Sequence, residues 1–162
     1  AVENDISVED FAALTDVFYF GGTKCGALFG EAVVITSNDL KRRFKAFMKQ
    51  NGAVLAKGWL LGLQFYTLLE NDLYFEITKK ADVLAMKIRD AFAKKGLPFW
   101  VESPTNQQFV ILTDAQKETL EKRYIFEPMG KSADGGNIAR FCTSWATTEE
   151  EVQTLIDDLK AL

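Results

Sequence analysis

The chain has 162 residues, 48% of them hydrophobic, which is enough to bury a sizeable core in one domain or two small halves and predicts a soluble globular protein. Lys and Arg total 19 against 23 for Asp and Glu, so a net charge of −4 leaves no broad basic face for nucleic-acid phosphates. Cys25 and Cys142 fit no metal-ligand spacing and histidine is absent, so we expect no metal site and a reducing, cytoplasmic setting.

The first 52 residues alternate helix and strand. Ser7 is a candidate N-cap for a helix over "SVEDFAALT". The runs "DVFYF" and "EAVVI" have the length and composition of buried strands, and the loop between them carries Lys24. The next segment, residues 37–52, has apolar residues at helical spacing and a basic opposite face, which predicts one amphipathic helix.

The most apolar run, "AVLAKGWLLGLQFYTLL" at residues 53–69, is slightly short for a bilayer and is interrupted by Lys57 and Gln64. It is apolar nearly all round. We therefore predict no membrane segment but a buried helix over residues 53–71, covered by its own domain or by a second subunit.

Beyond about Thr78 the pattern is that of a small α+β domain. Its final helix follows Thr147 and Glu150, which have the spacing of a capping box. The predicted elements in order are a helix over residues 77–96, strands "PFWV" and "QQFVILT", a helix "DAQKETLEKR", a strand "YIFEP", a loop "GKSADGG", a strand "NIARFCTSW" and the final helix.

Lys24 is the first candidate site residue. The glycines at 21, 22 and 26 permit close backbone approach and unusual turns, and Thr23 adds a hydroxyl beside the amine. In an apolar pocket the pKa of a lysine falls, and the neutral amine can attack a carbonyl, as a Schiff-base lysine requires. The alternative is an ordinary exposed lysine in a hairpin turn.

Arg140 is the second candidate. Alternation along "IARFCTS" places Ile138, Arg140 and Cys142 on one face of a strand. A guanidinium among apolar neighbours needs an anionic partner, and that partner is either a structural carboxylate or a ligand. Two other features have simpler explanations: the "GKS" at residues 130–132 lacks the rest of a phosphate loop, and the basic cluster of Arg42, Arg43, Lys45 and Lys49 is typical of an exposed helix face.

The stretch "FGGTKCGALFGEAVVI" closely resembles the cofactor-lysine segment of the threonine aldolase branch of the β-eliminating lyase family, whose members are fold-type-I enzymes dependent on pyridoxal phosphate. The stretches "FMKQNGAVLAKGWLLGLQF", "LPFWVESPTNQQFVIL" and "NIARFCTSWATTEEEV" resemble the same family in the same order. The resemblance covers nearly the whole chain.

The resemblance implies a role for four residues. Lys24 would carry pyridoxal 5'-phosphate, with Thr23 beside it as a phosphate or active-site hydroxyl. Arg140 matches the arginine that grips the α-carboxylate of the amino acid substrate. Lys49 is the nearest match to a basic residue that reaches the cofactor region of the neighbouring subunit.

Family members are longer, and their phosphate cup, ring-stacking group and pyridine-nitrogen aspartate lie in an N-terminal half that has no match here. We therefore expect the C-terminal part of a longer enzyme, α/β in class and α+β as a fragment. Residues 1–52 would be a remnant of the large cofactor-binding domain, residues 53–78 a long linking and interface helix, and residues 79–162 the small α+β domain.

The resemblance implies a cytoplasmic lyase of the low-specificity threonine aldolase type, which cleaves L-threonine or L-allo-threonine to glycine and acetaldehyde and assembles as a dimer or tetramer. One alternative is β-elimination of an aromatic or sulfur amino acid. Another is a non-catalytic interaction domain that docks a partner through the apolar helix. By itself this chain is expected to be folded, catalytically silent and prone to associate.

Overall fold

A computed structural model describes residues 6–160 and residue 162. The chain divides between Ile77 and Thr78 into two compact units. The predicted three-part division into residues 1–52, 53–78 and 79–162 stays a prediction. No helix in the described ranges combines the length and the apolar character that crossing a membrane requires.

The first unit contains short helices and one hairpin. Its elements are α1 (Val8–Leu14), β1 (Val17–Gly21), a 3₁₀ turn (Thr23–Cys25), β2 (Glu31–Ile35), α2 (Asn38–Lys41), α3 (Phe44–Gln50), α4 (Trp59–Leu69), a second 3₁₀ turn (Glu70–Asp72) and the start of α5 (Leu73–Lys94), which continues into the second unit.

The predicted cap of α1 is confirmed. The Ser7 hydroxyl accepts a hydrogen bond from the Asp10 amide at 3.0 Å, and the Asp10 carboxylate accepts one from the Ser7 amide at 2.9 Å. These two bonds satisfy amide donors that the first helical turn leaves without partners.

Strands β1 and β2 form an antiparallel pair that runs from Val17 opposite Ile35 to Gly21 opposite Glu31. The prediction that both strands are buried is wrong for this chain. Alternate residues are exposed, Tyr19 at 67% and Val33 at 59%, because one face of this two-stranded sheet is not covered by the described residues.

The single helix predicted over residues 37–52 is broken in the structure. Arg42 has an extended backbone and Arg43 a left-handed one, with φ of 63°, so the helical hydrogen bonds stop after α2 and start again in α3. Arg43 is thus a non-glycine residue in a sparsely populated conformation.

The apolar helix is shorter and more exposed than predicted. Residues 53–55 are irregular, residues 56–58 form a turn, and α4 begins only at Trp59. Phe65 and Leu68 are buried, whereas Trp59 is 63% exposed and Tyr66 66% exposed. The pattern predicted a helix apolar all round, and this structure covers only one side of it.

The second unit is a four-stranded antiparallel sheet with helices on one face. Strands β3 (Phe99–Val101), β4 (Gln107–Leu112), β5 (Glu127–Lys131) and β6 (Asn137–Cys142) lie in the order β3-β4-β6-β5. Helix α5 packs in this unit with α6 (Asp114–Glu121) and α7 (Glu149–Lys160). The core contains, among others, Leu84, Ile88, Phe92, Val110, Leu112, Ala139, Phe141, Val152 and Leu155.

The bounds of a predicted strand and of a predicted loop in this unit shift by a few residues. The strand predicted from Tyr124 begins at Glu127, because Tyr124 and Phe126 pack against the core instead. The glycine-rich loop contributes the end of β5 and then a hairpin turn closed by the Ser132 amide bonded to the Gly136 carbonyl at 2.8 Å.

The last capping box lies one residue later than predicted. Thr148 exchanges hydrogen bonds with Glu151. The hydroxyl of Thr147 is engaged elsewhere, because it accepts from the Ser144 amide at 3.0 Å. Both threonines at this helix start are therefore used, each in a different turn.

Candidate functional site

Lys24 occupies the middle of the 3₁₀ turn that follows β1. The amides of Cys25 and Ala27 both donate to the Gly22 carbonyl at 3.0 Å, which closes the turn around one oxygen. Cys25 and Ala27 are buried at 7% and 6% exposure, whereas Thr23 and Lys24 are exposed. The turn is thus anchored on both sides of a lysine whose own side chain reaches solvent.

Two glycines make this turn possible. A Cβ on Gly22 would lie 2.7 Å from the Cβ of Ala27 and 2.8 Å from the Gly30 carbonyl oxygen, so no larger residue fits. Gly26 has a φ of 101°, which side chains rarely allow. Gly21, also singled out from the sequence, has open space around it.

Of the two explanations of Lys24, an apolar pocket or an exposed turn, the described residues form no apolar pocket around the side chain. The side chain is exposed and forms no hydrogen bond or ion pair with any other described residue. The walls of such a pocket are not supplied by the residues around the turn. What the structure shows is an accessible primary amine on a closely anchored backbone.

Two side chains from helices hold the segment around Lys24, and sequence reasoning missed both. The Gln64 amide oxygen accepts from the Leu28 amide at 2.7 Å, and its nitrogen donates to the Phe29 carbonyl at 3.3 Å. The Tyr74 hydroxyl donates to the Gly21 carbonyl at 3.0 Å. The available signal was Gln64 itself, a polar residue inside the most apolar run.

The environment of Tyr74 is unusual for an otherwise accessible region. Partial burial, followed by its hydrogen bond with the Cys25 thiol, raises the pKa of the Tyr74 hydroxyl well above its ordinary value. Tyr74 therefore stays a neutral hydrogen-bond donor at every physiological pH.

Arg140 lies in the middle of β6, opposite Phe109 on β4 and Glu127 on β5. Its neighbours Ala139 and Phe141 belong to the core, so alternation places Arg140 on the sheet face opposite to them. The sequence left open which face points inward, and the structure places Arg140 on the face away from this core.

The guanidinium of Arg140 has an unmet hydrogen-bonding need. Its Nε is buried and has no hydrogen-bond partner, and no carboxylate of the described residues lies within ion-pair distance of the group. Even Glu127, directly across the ladder, forms no ion pair with it. The described residues supply no carboxylate for a structural salt bridge with Arg140, and the explanation in which a ligand is its partner stays a prediction.

The four predicted site residues fall into three places. Thr23 and Lys24 share the turn after β1, Lys49 is exposed on α3 of the same unit, and Arg140 belongs to the second unit. The rest of the predicted basic cluster is exposed like Lys49. No group of three or more potential metal-ligating side chains occurs in residues 6–160 and 162.

Comparison with known proteins gives consistent matches. Two curated relatives, from Pseudomonas aeruginosa and a second Pseudomonas species, are named low specificity L-threonine aldolase. They are 30% and 29% identical to this chain over 90% and 91% of its length. The matched region is 41% and 42% of theirs, so the chain spans less than half the length of these relatives. A scan of models of protein families found no match.

Solved structures agree with the sequence matches. A threonine aldolase from Leishmania major superposes with a TM-score of 0.92 at 38% identity, covering 97% of this chain and 46% of that one. An 8-amino-7-oxononanoate synthase from Francisella tularensis shares the fold alone, with a TM-score of 0.56 at 15% identity. The resemblance and the fold class predicted from the sequence are thereby confirmed.

Proposed function

We propose, from its likeness over nine-tenths of its length to threonine aldolases, that this chain is part of a pyridoxal-phosphate-dependent lyase. The complete protein would cleave L-threonine or L-allo-threonine to glycine and acetaldehyde. The observation that carries the proposal beyond likeness is Arg140, whose buried Nε has no hydrogen-bond partner among the described residues.

Lys24 fits the attachment of the cofactor. Its primary amine is exposed and engages no other described residue, while the backbone on either side is anchored by Gly22, Cys25 and Ala27. Pyridoxal phosphate, when bound, supplies the electron sink that makes cleavage of a Cα–Cβ bond accessible. The contribution of Lys24 is to hold that group covalently at a defined point.

Arg140 fits the substrate carboxylate. A guanidinium donates two parallel hydrogen bonds to a carboxylate, and such a pair fixes orientation as well as position. The strand holds Arg140 between Phe109 and Glu127, so the arginine approaches its ligand from a rigid sheet. Substrate orientation decides which bond of the amino acid breaks, and this is the role we assign to Arg140.

The remaining assignments follow the same proposal. Thr23 adjoins Lys24 and would offer its hydroxyl to the cofactor phosphate or the substrate. Lys49 would reach the cofactor region of a second subunit in a homodimer or tetramer. The exposed apolar side of α4, including Trp59 and Tyr66, supports such an assembly, since patches of this kind mark interfaces. A cytoplasmic location belongs to the same proposal.

The test uses the complete protein with Lys24→Ala, and Lys87→Ala as the matched control. Lys87 is an exposed lysine paired only with Glu149 at 3.2 Å. The Lys24 variant should lose the visible absorption band of the bound cofactor and release of glycine from both threonine diastereomers, while the Lys87 variant keeps both. An unchanged band and rate in Lys24→Ala would refute the assignment, and release of pyruvate and ammonia from an aromatic or sulfur amino acid would point to β-elimination instead.

The 162-residue chain alone is proposed to be folded, inactive and self-associating. Its α4 and β1–β2 surfaces expose apolar side chains and unpaired strand edges, which template association. Light scattering at increasing concentration should show species larger than a monomer. A clean monomer at high concentration, or aldolase activity in this chain, would contradict this part of the proposal.

A further inference from the structure

We propose that Gln64 and Tyr74 are positioning residues that hold the backbone from which the Lys24 side chain reaches the cofactor. They come from α4 and α5 and bind the backbone on the two sides of Lys24. The proposal rests on the function proposed for Lys24. The hydrogen bonds from Gln64 and Tyr74 to this backbone, here called the clamp, are a property of this chain and can be measured without cofactor.

Gln64 uses both ends of its amide. The Leu28 amide can only donate, so the Gln64 oxygen must face it, and this leaves the nitrogen for the Phe29 carbonyl. Leucine at this position could make neither bond, and glutamate could accept but not donate. The requirement for both groups explains a glutamine in a helix whose neighbours are almost all apolar.

Tyr74 holds the other end of the segment. Its hydroxyl binds the carbonyl of Gly21, the last residue of β1, and lies against the thiol of Cys25, the residue after Lys24. Its ring packs edge-on against Phe20 with centroids 5.8 Å apart. One side chain therefore touches the backbone before Lys24 and the side chain after it.

The backbone at Lys24 is therefore held in place, whereas the end of its side chain is not. The backbone is held at residues 21, 25, 28 and 29, while the amine forms no hydrogen bond or ion pair with another described residue. The anchors therefore fix the Cα from which the Lys24 side chain extends, and with it the region that the amine can reach. A displacement of about 1 Å at a reacting group can lower turnover about a hundredfold. Residues that anchor the backbone at Lys24 are therefore expected to affect turnover without touching the reacting atoms.

The first experiment is amide hydrogen exchange on this chain with Gln64→Leu, Gln64→Glu and Tyr74→Phe. In Gln64→Leu the Leu28 amide should exchange about fivefold faster, as expected when one hydrogen bond is lost. Gln64→Glu keeps an acceptor and should leave Leu28 protected. The Val110 amide, in the core sheet of the second unit, is the internal control and should not change in any variant.

The second experiment measures the complete protein. Gln64→Leu and Tyr74→Phe should slow formation of the visible cofactor band and lower kcat about tenfold or more, with KM for the amino acid within about twofold, because the carboxylate is bound elsewhere. Gln64→Glu should recover part of kcat. A merely structural role would instead lower the melting temperature and the active fraction without this split.

The outcomes separate the two proposals. Unchanged exchange at Leu28 in Gln64→Leu overturns the clamp, whatever the cofactor does. Faster exchange at Leu28 with unchanged kcat and band formation overturns the positioning role. If wild-type protein shows no band that depends on Lys24, the proposed function fails, and the exchange result then decides on the clamp alone.

Discussion

Removal of the Arg140 charge should make the second unit more stable while it impairs substrate binding. The buried Nε lacks a partner, and an unsatisfied buried donor costs about 1–3 kcal/mol. Arg140 is only partly buried, so the lower end applies. Arg140→Met keeps an unbranched side chain and removes the donor, and it should raise the free energy of unfolding by about 1 kcal/mol.

Val110 is fully buried in the sheet, so its amide is expected to exchange only when the core of the unit opens, and its exchange rate measures this change. A gain of about 1 kcal/mol slows its exchange about fivefold. The matched control is Arg123→Met, because Arg123 has an ion pair with Asp158 at 2.6 Å and should give no gain. Unchanged or faster exchange in Arg140→Met would refute the reasoning that Arg140 is an unmet donor.

The same substitution should have the opposite effect on the complete protein. Loss of a buried, hydrogen-bonded charge partner costs about 2–5 kcal/mol, so KM for the amino acid should rise about 30-fold or more while the affinity for pyridoxal phosphate stays nearly constant. Loss of cofactor affinity at unchanged KM would make Arg140 a structural residue.

Three further predictions concern packing, the lysine turn and pH. Phe92→Ala removes a fully buried ring and should destabilise the second unit by about 3–5 kcal/mol in urea unfolding, and a loss below about 1 kcal/mol would contradict the core assignment. Gly22→Ala should accelerate amide exchange around Lys24 without changing the second unit, since its Cβ would meet the turn at 2.7 Å. Hydrogen bonds from Thr148 lower the pKa of Glu151, so this contribution to helix stability is present above the ordinary glutamate pKa and is lost as pH falls through the lowered one. Glu151→Gln removes the titrating carboxylate and should flatten the acid limb of an unfolding titration, and an unchanged limb would exclude Glu151 as its source.

Local features of the fold were predictable because their causes lie within a few residues. Ser7 caps α1 through Asp10, three residues away, and the turn at residues 132–136 closes on itself. Alternation along a strand, which places Arg140 on the face opposite to Ala139 and Phe141, is a property of any strand. The glycine-flanked turn at Lys24 belongs to the same class.

Tertiary structure decided the rest. Gln64 meets Leu28 across 36 positions and Tyr74 meets Gly21 across 53, and no local pattern specifies which helix reaches which carbonyl. The predicted burial of α4 and of the β1–β2 hairpin depended on neighbours that the described residues do not supply. The sequence by itself singled out Lys24 and Arg140 as candidates to hold a cofactor and a carboxylate. Only the folded chain decided that the lysine is anchored through distant helices and that the arginine has no internal partner, because hydrogen bonds between remote segments depend on how those segments pack.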